Sequence, residues 1–343
     1  MTVPAPDDRR RTEAISAALA ALREGRVEQA GALAQALIEN AADDPAAHLL
    51  VATVAWQRGD HLETLRWAQS CLALQAGHAP ALLLAGRAAK AAGDCDGALR
   101  FFREAVQRAP ERADAAFATC IVLLERADPG ANDTLHDLLH RFPNDAEGWH
   151  DIGLALHKAG KFEAALVAFT RAADTIQSPR HELARAASLR AMGRPGEAVD
   201  VLRHAAALSP DNPDIALQLA LGLHRLGELA GARAELERIL RSNESSANLW
   251  FAYGLVCQDS RDPEAAIVAY RRTLQLSPEL AEAHVNLGIC LQRTGDIAAA
   301  KAMFGRAVRL RSNTFGRIAQ ALPAAPRGEL WLDFERLRRS LAP

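Results

Sequence analysis

The chain has 343 residues, 49% of them hydrophobic, with 40 Lys and Arg against 42 Asp and Glu. That hydrophobicity and a net charge of −2 exclude a disordered chain, and near-neutrality removes any general electrostatic reason to bind nucleic acid or anionic lipid. The longest apolar run, residues 115–124, is interrupted by Thr119, so no stretch reaches the roughly 18 residues of a membrane span.

Residues 1–10 carry no apolar core of the secretory kind and are expected to be a flexible lead. The five cysteines (Cys71, Cys95, Cys120, Cys257, Cys290) are dispersed, with no Cys-x-x-Cys. An odd, scattered set points to small buried apolar thiols in a reducing, cytoplasmic setting.

Length alone suggests about two domains, but an internal period overrides it. Units start at 11, 45, 79, 113, 146, 179, 213, 247 and 281, in steps of 34 residues apart from two of 33. In each unit a first helix with apolar residues at helical spacing runs to a turn glycine: Gly25, Gly59, Gly93, Gly160, Gly193, Gly227 and Gly295. A second helix of about a dozen residues follows, often closed by a proline (Pro110, Pro143, Pro210, Pro278) that cannot continue it. The eighth residue is always small: Ala18, Ala52, Gly86, Cys120, Gly153, Ala186, Ala220, Gly254 and Gly288. The twentieth is mostly alanine, so small residues facing each other are expected to let the two helices approach closely.

Two units depart from this pattern. The unit at 113 has Ala127 where the glycine belongs and Asn132 where the alanine belongs, and its turn is expected at Asp128-Pro129-Gly130. It should be the irregular point of the stack. The unit at 247 has Arg261 in the glycine place. Within 113–145, His136 and His140 have the spacing of a metal-binding helix. His136 fills the slot usually held by a buried aromatic, so a half-buried core histidine beside a surface one is the expectation. After Thr314 the register stops. Residues 315–322 should form a short covering helix, and 330–341, around Trp331, an amphipathic segment with arginines on one side. That segment serves as a second cap, docks onto a partner or another copy, or is the stub of a catalytic domain.

Catalytic signatures are missing. Gly153 and Gly160-Lys161 have six residues between them, and Phe162 follows where a phosphate loop needs Ser or Thr. There is no Gly-x-Gly-x-x-Gly and no Gly-x-Ser-x-Gly. No enzyme activity, cofactor or metal is expected.

A helix pair of this length with a large residue, Leu-Gly, a turn Gly, an Ala, an aromatic and a closing Pro resembles the tetratricopeptide repeat. Residues 281–312, with Leu287-Gly288, Gly295, Ala300 and Phe304, make the cleanest copy, and 146–178, with Trp149, Ile152-Gly153, Gly160, Ala165 and Phe169, are close behind. The resemblance implies an all-α, right-handed α-solenoid of nine units over 11–314, with a C-terminal cap over 315–343. It further implies that first helices line a concave groove, with slots two, five, nine, twelve and thirteen of each unit facing it. The N-terminal third of that groove reads as mostly apolar (Leu49, Thr53, Trp56, Leu83, Phe117). Its centre carries His150, Asp151, Leu154, His157, Lys158, Leu183, Arg190, Leu217, Gln218, Leu221, His224 and Arg225, with Phe251 beyond. A protein or peptide with apolar anchors and an acidic group suits this centre. The carboxylate clamp of the family's co-chaperones is not implied, because slot five holds no lysine in any unit. The expected function is a non-catalytic scaffold or adaptor. The alternative is a substrate-recruiting partner of a separate transferase or hydroxylase.

Overall fold

The computed structural model describes residues 6–314, 316 and 318, and every regular element among them is helical. The chain divides into two compact units at Ile176. Unit 1 holds α1 (Pro6–Arg23), α2 (Val27–Asn40), α3 (Pro45–Gln57), α4 (His61–Leu74), α5 (Ala79–Ala91), α6 (Cys95–Arg108), α7 (Ala113–Glu125), α8 (Ala131–Arg141), α9 (Ala146–Lys158) and α10 (Phe162–Thr175). Unit 2 holds α11 (Pro179–Ala191), α12 (Pro195–Leu208), α13 (Pro213–Arg225), α14 (Leu229–Leu240), α15 (Ala247–Asp259), α16 (Pro263–Leu276), α17 (Ala281–Thr294) and α18 (Ile297–Leu310), then a 3-10 turn, Ser312–Thr314. Within each unit the helices pack as consecutive pairs and each pair packs on the next, the arrangement of an α-solenoid.

Local chemistry sets the helix ends. Carboxylates at Asp60, Asp94, Asp145, Asp262 and Asp296 accept a backbone N–H of the first turn, at 2.8–3.1 Å, and so satisfy an orphan donor. Proline opens α3, α11, α13 and α16, where its fixed φ is already helical. At the far end of each first helix the same closure recurs. In the last pair, Asp296 N–H donates to Leu291 C=O at 2.9 Å across Gly295, whose φ is +93°.

The two units of the sequence without a turn glycine keep this closure. Ala127 (φ +54°) and Arg261 (φ +60°) take the left-handed conformation themselves, and Asp128 N and Asp262 N close at 2.9 Å onto Leu123 O and Cys257 O. The turn expected at Asp128-Pro129-Gly130 therefore sits at Ala127. A side chain in this region costs about 1–2 kcal/mol, partly offset by the entropy a glycine would lose on folding. Ala127→Gly and Arg261→Gly are each expected to raise stability by about 0.5–1 kcal/mol, read from urea midpoints. Lower midpoints would contradict this account of the turns.

The irregularity lies instead in α8, with 11 residues, of which Ala131 and Leu138 are buried. The missing residue of this 33-residue step precedes the helix, so the buried places move back by one, from the expected 132 to Ala131, and His136 turns to solvent. The expected half-buried core histidine is thus an exposed one, its ring 4.6 Å from that of His140. Cys95, expected to be buried, is half-buried at the start of α6, while the other four thiols are buried.

The close approach of paired helices has a sharper cause than alanine facing alanine. A Cβ added at Gly153 would lie 2.5 Å from the Phe169 ring, at Gly254 2.6 Å from Tyr270, and at Gly288 2.5 Å from Phe304. Gly86 meets Phe102 in the same way. Glycine at slot eight occurs wherever slot twenty-four is aromatic. Where slot eight is Ala186 or Ala220, slot twenty-four is Leu202 or Leu236. Volume is conserved within the pair, as close packing requires.

Of the cap expected over 315–343, only Gly316 and Ile318 are described, and Ile318 is fully buried in the cluster with Leu287, Leu291 and Phe304. The Trp331 segment lies outside the described residues.

Candidate functional site

The expected groove residues fall in both units. In unit 1, α9 carries five. Its first-turn positions bury Trp149 and His150, and His150 is only 3% exposed, its ring 5.3 Å from that of Phe169. This corrects the expectation of a groove histidine: slot five of this repeat belongs to the core. His157 is half-buried, with its ring 5.0 Å from Phe162. Asp151, Leu154 and Lys158 are exposed.

In unit 2, α11 presents Leu183 and Arg190, α13 presents Leu217, Gln218, Leu221, His224 and Arg225, and α15 presents Phe251. Arg190 Nη1 donates to Gln218 Oε1 at 2.5 Å. Burial of its guanidinium, together with the charge of Arg225, moves the Arg190 pKa below the ordinary arginine value. Among the described residues neither arginine has a carboxylate partner. Leu183, Leu217 and Leu221, on the same two helices, are half-buried. Two cations are thus held near each other, one of them fixed by a neutral amide. Phe251 packs toward the core instead, its ring 5.8 Å from Tyr270.

Two acidic residues escaped the sequence reading. Asp259 Oδ2 lies 2.7 Å from His224 Nε2, so the histidine of this site is already engaged. Asp259 is slot thirteen of its repeat, the same slot as Arg225, and the slot arithmetic reaches it. Glu182 is 2% exposed and bridges Arg185 at 2.8 Å and His204 at 3.0 Å. It sits at slot four, usually a core position, and nothing in the spacing signals it. The N-terminal third is also less apolar than expected, because slots nine and twelve of the unit at 79 are Arg87 and Lys90.

Nucleophilic chemistry has little support. Burial pushes the Cys120 thiol up to about 12 and the Cys290 thiol up to about 11, so both stay protonated and inert at neutral pH. Among the described residues no group of three or more His, Cys, Asp and Glu is placed to hold a metal, and no helix is long and apolar enough to cross a membrane.

Tetratricopeptide-repeat models match residues 15–79, 80–112, 129–180, 189–252 and 258–322. The chain belongs to the tetratricopeptide-repeat family. It is 29% identical over 199 residues to protein FlbA of Caulobacter vibrioides, covering 54% of this chain and 33% of that one. It is 35% identical over 97 residues to the probable biofilm formation methyltransferase WspC of Pseudomonas putida, covering 27% of this chain and 23% of that one. The chain thus spans a third or less of either relative. MamA from Desulfovibrio magneticus, a solved structure, aligns over 49% of this chain and 96% of its own, with 21% identity and a TM-score of 0.46. The repeats and the family make the chain a protein-interaction scaffold.

Proposed function

We propose that the chain is a non-catalytic adaptor of the reducing cytoplasm that holds a protein segment along the first helices of unit 2. The segment carries an acidic residue between apolar ones. The observation that supports this reading is the Arg190–Arg225 pair, without a carboxylate partner among the described residues, its Arg190 fixed by Gln218 on helices that also carry the half-buried Leu183, Leu217 and Leu221. A rigid helical face loses little entropy on binding, so the extended ligand bears most of the ordering cost. Anisotropy titration of a labelled peptide with one glutamate between two leucines tests it. Affinity should fall roughly tenfold between 50 and 300 mM salt, as partly exposed ion pairing requires. A salt-independent affinity, or an equal one for the glutamine peptide, would remove the arginines from the account.

A second reading is favoured by the likeness to part of a probable methyltransferase. In it the array recruits substrate for a transferase carried on another chain. Capture of an acceptor protein only when the transferase is present would select this reading.

A further inference from the structure

The last repeat departs from two of its siblings at one side chain. In the repeat at 146, slot four is Trp149. Its Nε1–H donates to Phe142 O at 3.0 Å, and the Arg171 guanidinium lies over its ring, 5.2 Å from the centre. Trp250, slot four of the repeat at 247, makes the equivalent bond to Glu244 O at 2.9 Å. In the repeat at 281 slot four is His284. Its Nε2–H donates to Pro278 O at 2.9 Å, so the bond survives, but the six-membered ring of an indole is missing. A cavity of about 400 Å³ lies there, wholly in unit 2, between α16, α17 and α18. His284, Leu274, Leu287, Leu291 and Met303 line it, together with the exposed Arg271 and Arg306. Arg306 holds slot twenty-six, as Arg171 does, yet has no ring beneath it among the described residues. Neither Arg271 nor Arg306 has a carboxylate partner among those residues.

We propose that Trp331 of this same chain fills the cavity, its indole under the Arg306 guanidinium, and so holds the segment 330–341 against α16 and α18. Three observations point to this occupant. Ile318 is buried against Leu287 and Leu291, two of the residues that line the cavity. Trp331 comes 13 residues later, a length of chain that spans up to roughly 45 Å, several times the width of the α18 helix it has to pass. Asp333 and Glu335 follow the ring closely, ahead of Arg336, Arg338 and Arg339, and so bring acids to Arg271 and Arg306. No residue of the Arg190 site takes part.

The full chain labelled with 5-fluorotryptophan tests this by fluorine NMR. It carries five tryptophans, and Trp331→Phe assigns the resonance. The Trp331 signal should lie away from the position of the free amino acid and shift little in heavy water. His284→Trp supplies the indole that slot four usually has and should send Trp331 to the free position, with melting no lower. Arg271→Glu with Arg306→Glu, both at exposed positions, should speed amide exchange of 330–341 about tenfold while the rest of unit 2 keeps its protection. This second variant decides the matter if His284→Trp does not fold. A free Trp331 in the unaltered chain, or indifference to the arginine reversal, would overturn the proposal. So would a Trp331 signal that becomes free on dilution, since the ring would then sit in a second copy.

Discussion

Charge reversal at both Arg190 and Arg225 is expected to weaken the acidic, leucine-flanked peptide by roughly 100-fold, with the fold intact. Arg190 is half-buried, so a ligand carboxylate meeting it gives up water on both sides and the contact counts for more than an exposed pair. Glutamate there replaces attraction with repulsion, and Arg225→Glu repeats the change beside it. Stability should hold because neither arginine serves an internal ion pair among the described residues. The Gln218 amide can turn its N–H toward a glutamate, so even the one hydrogen bond that is lost has a substitute. Arg190→Lys separates charge from shape: it keeps the cation but loses the planar fork, and an intermediate loss is expected. Undiminished binding by the double variant, with melting unchanged, would remove this face as the binding surface.

The second large effect is on stability. Phe169→Ala should cost about 3–5 kcal/mol in urea denaturation. The ring is 1% exposed, fills the space above Gly153 and borders His150. Gly153→Ala should cost about 1–3 kcal/mol by the opposite route, forcing a methyl to within 2.5 Å of that ring. The combination Gly153→Ala with Phe169→Leu recreates the pairing that Ala186 and Leu202 make in unit 2. It should be less destabilising than the sum of its single changes, since neighbours in contact couple. Strict additivity would show that glycine and ring do not act as a pair.

Most of the fold was legible in the sequence because its determinants are local. A left-handed turn, a capping aspartate and a helix-ending proline act within one repeat, and the period repeats them until register is unmistakable. Ala127 shows where this reading fails. The neighbouring Pro129-Gly130 looks like the turn, but the packed helices on either side impose the left-handed conformation on an alanine. His136 shows a second limit. The missing residue precedes α8, and counting from the repeat start assigns a buried slot to a side chain that faces water.

The candidate site was legible only in outline. Slot positions identified Arg190 and Arg225, with Gln218 one place beyond slot five, because those slots repeat with the fold. They misplaced His150, which is buried against the Phe169 ring. Partner choice was beyond reach: the pairing of His224 with Asp259, and of Glu182 with Arg185 and His204, depends on side chains crossing between helices.

The shortness of α8 has a consequence for how unit 1 coheres. Gly148 of α9 accommodates the Phe117 ring of α7, and Phe117 meets Trp149 edge-on at 5.5 Å. Cohesion therefore passes from α7 to α9 directly, and α8 is bolted on from the side. A segment so loosely tied into the chain of contacts is where insertions, splice scars or a grafted tag would do the least harm to the repeats before and after it.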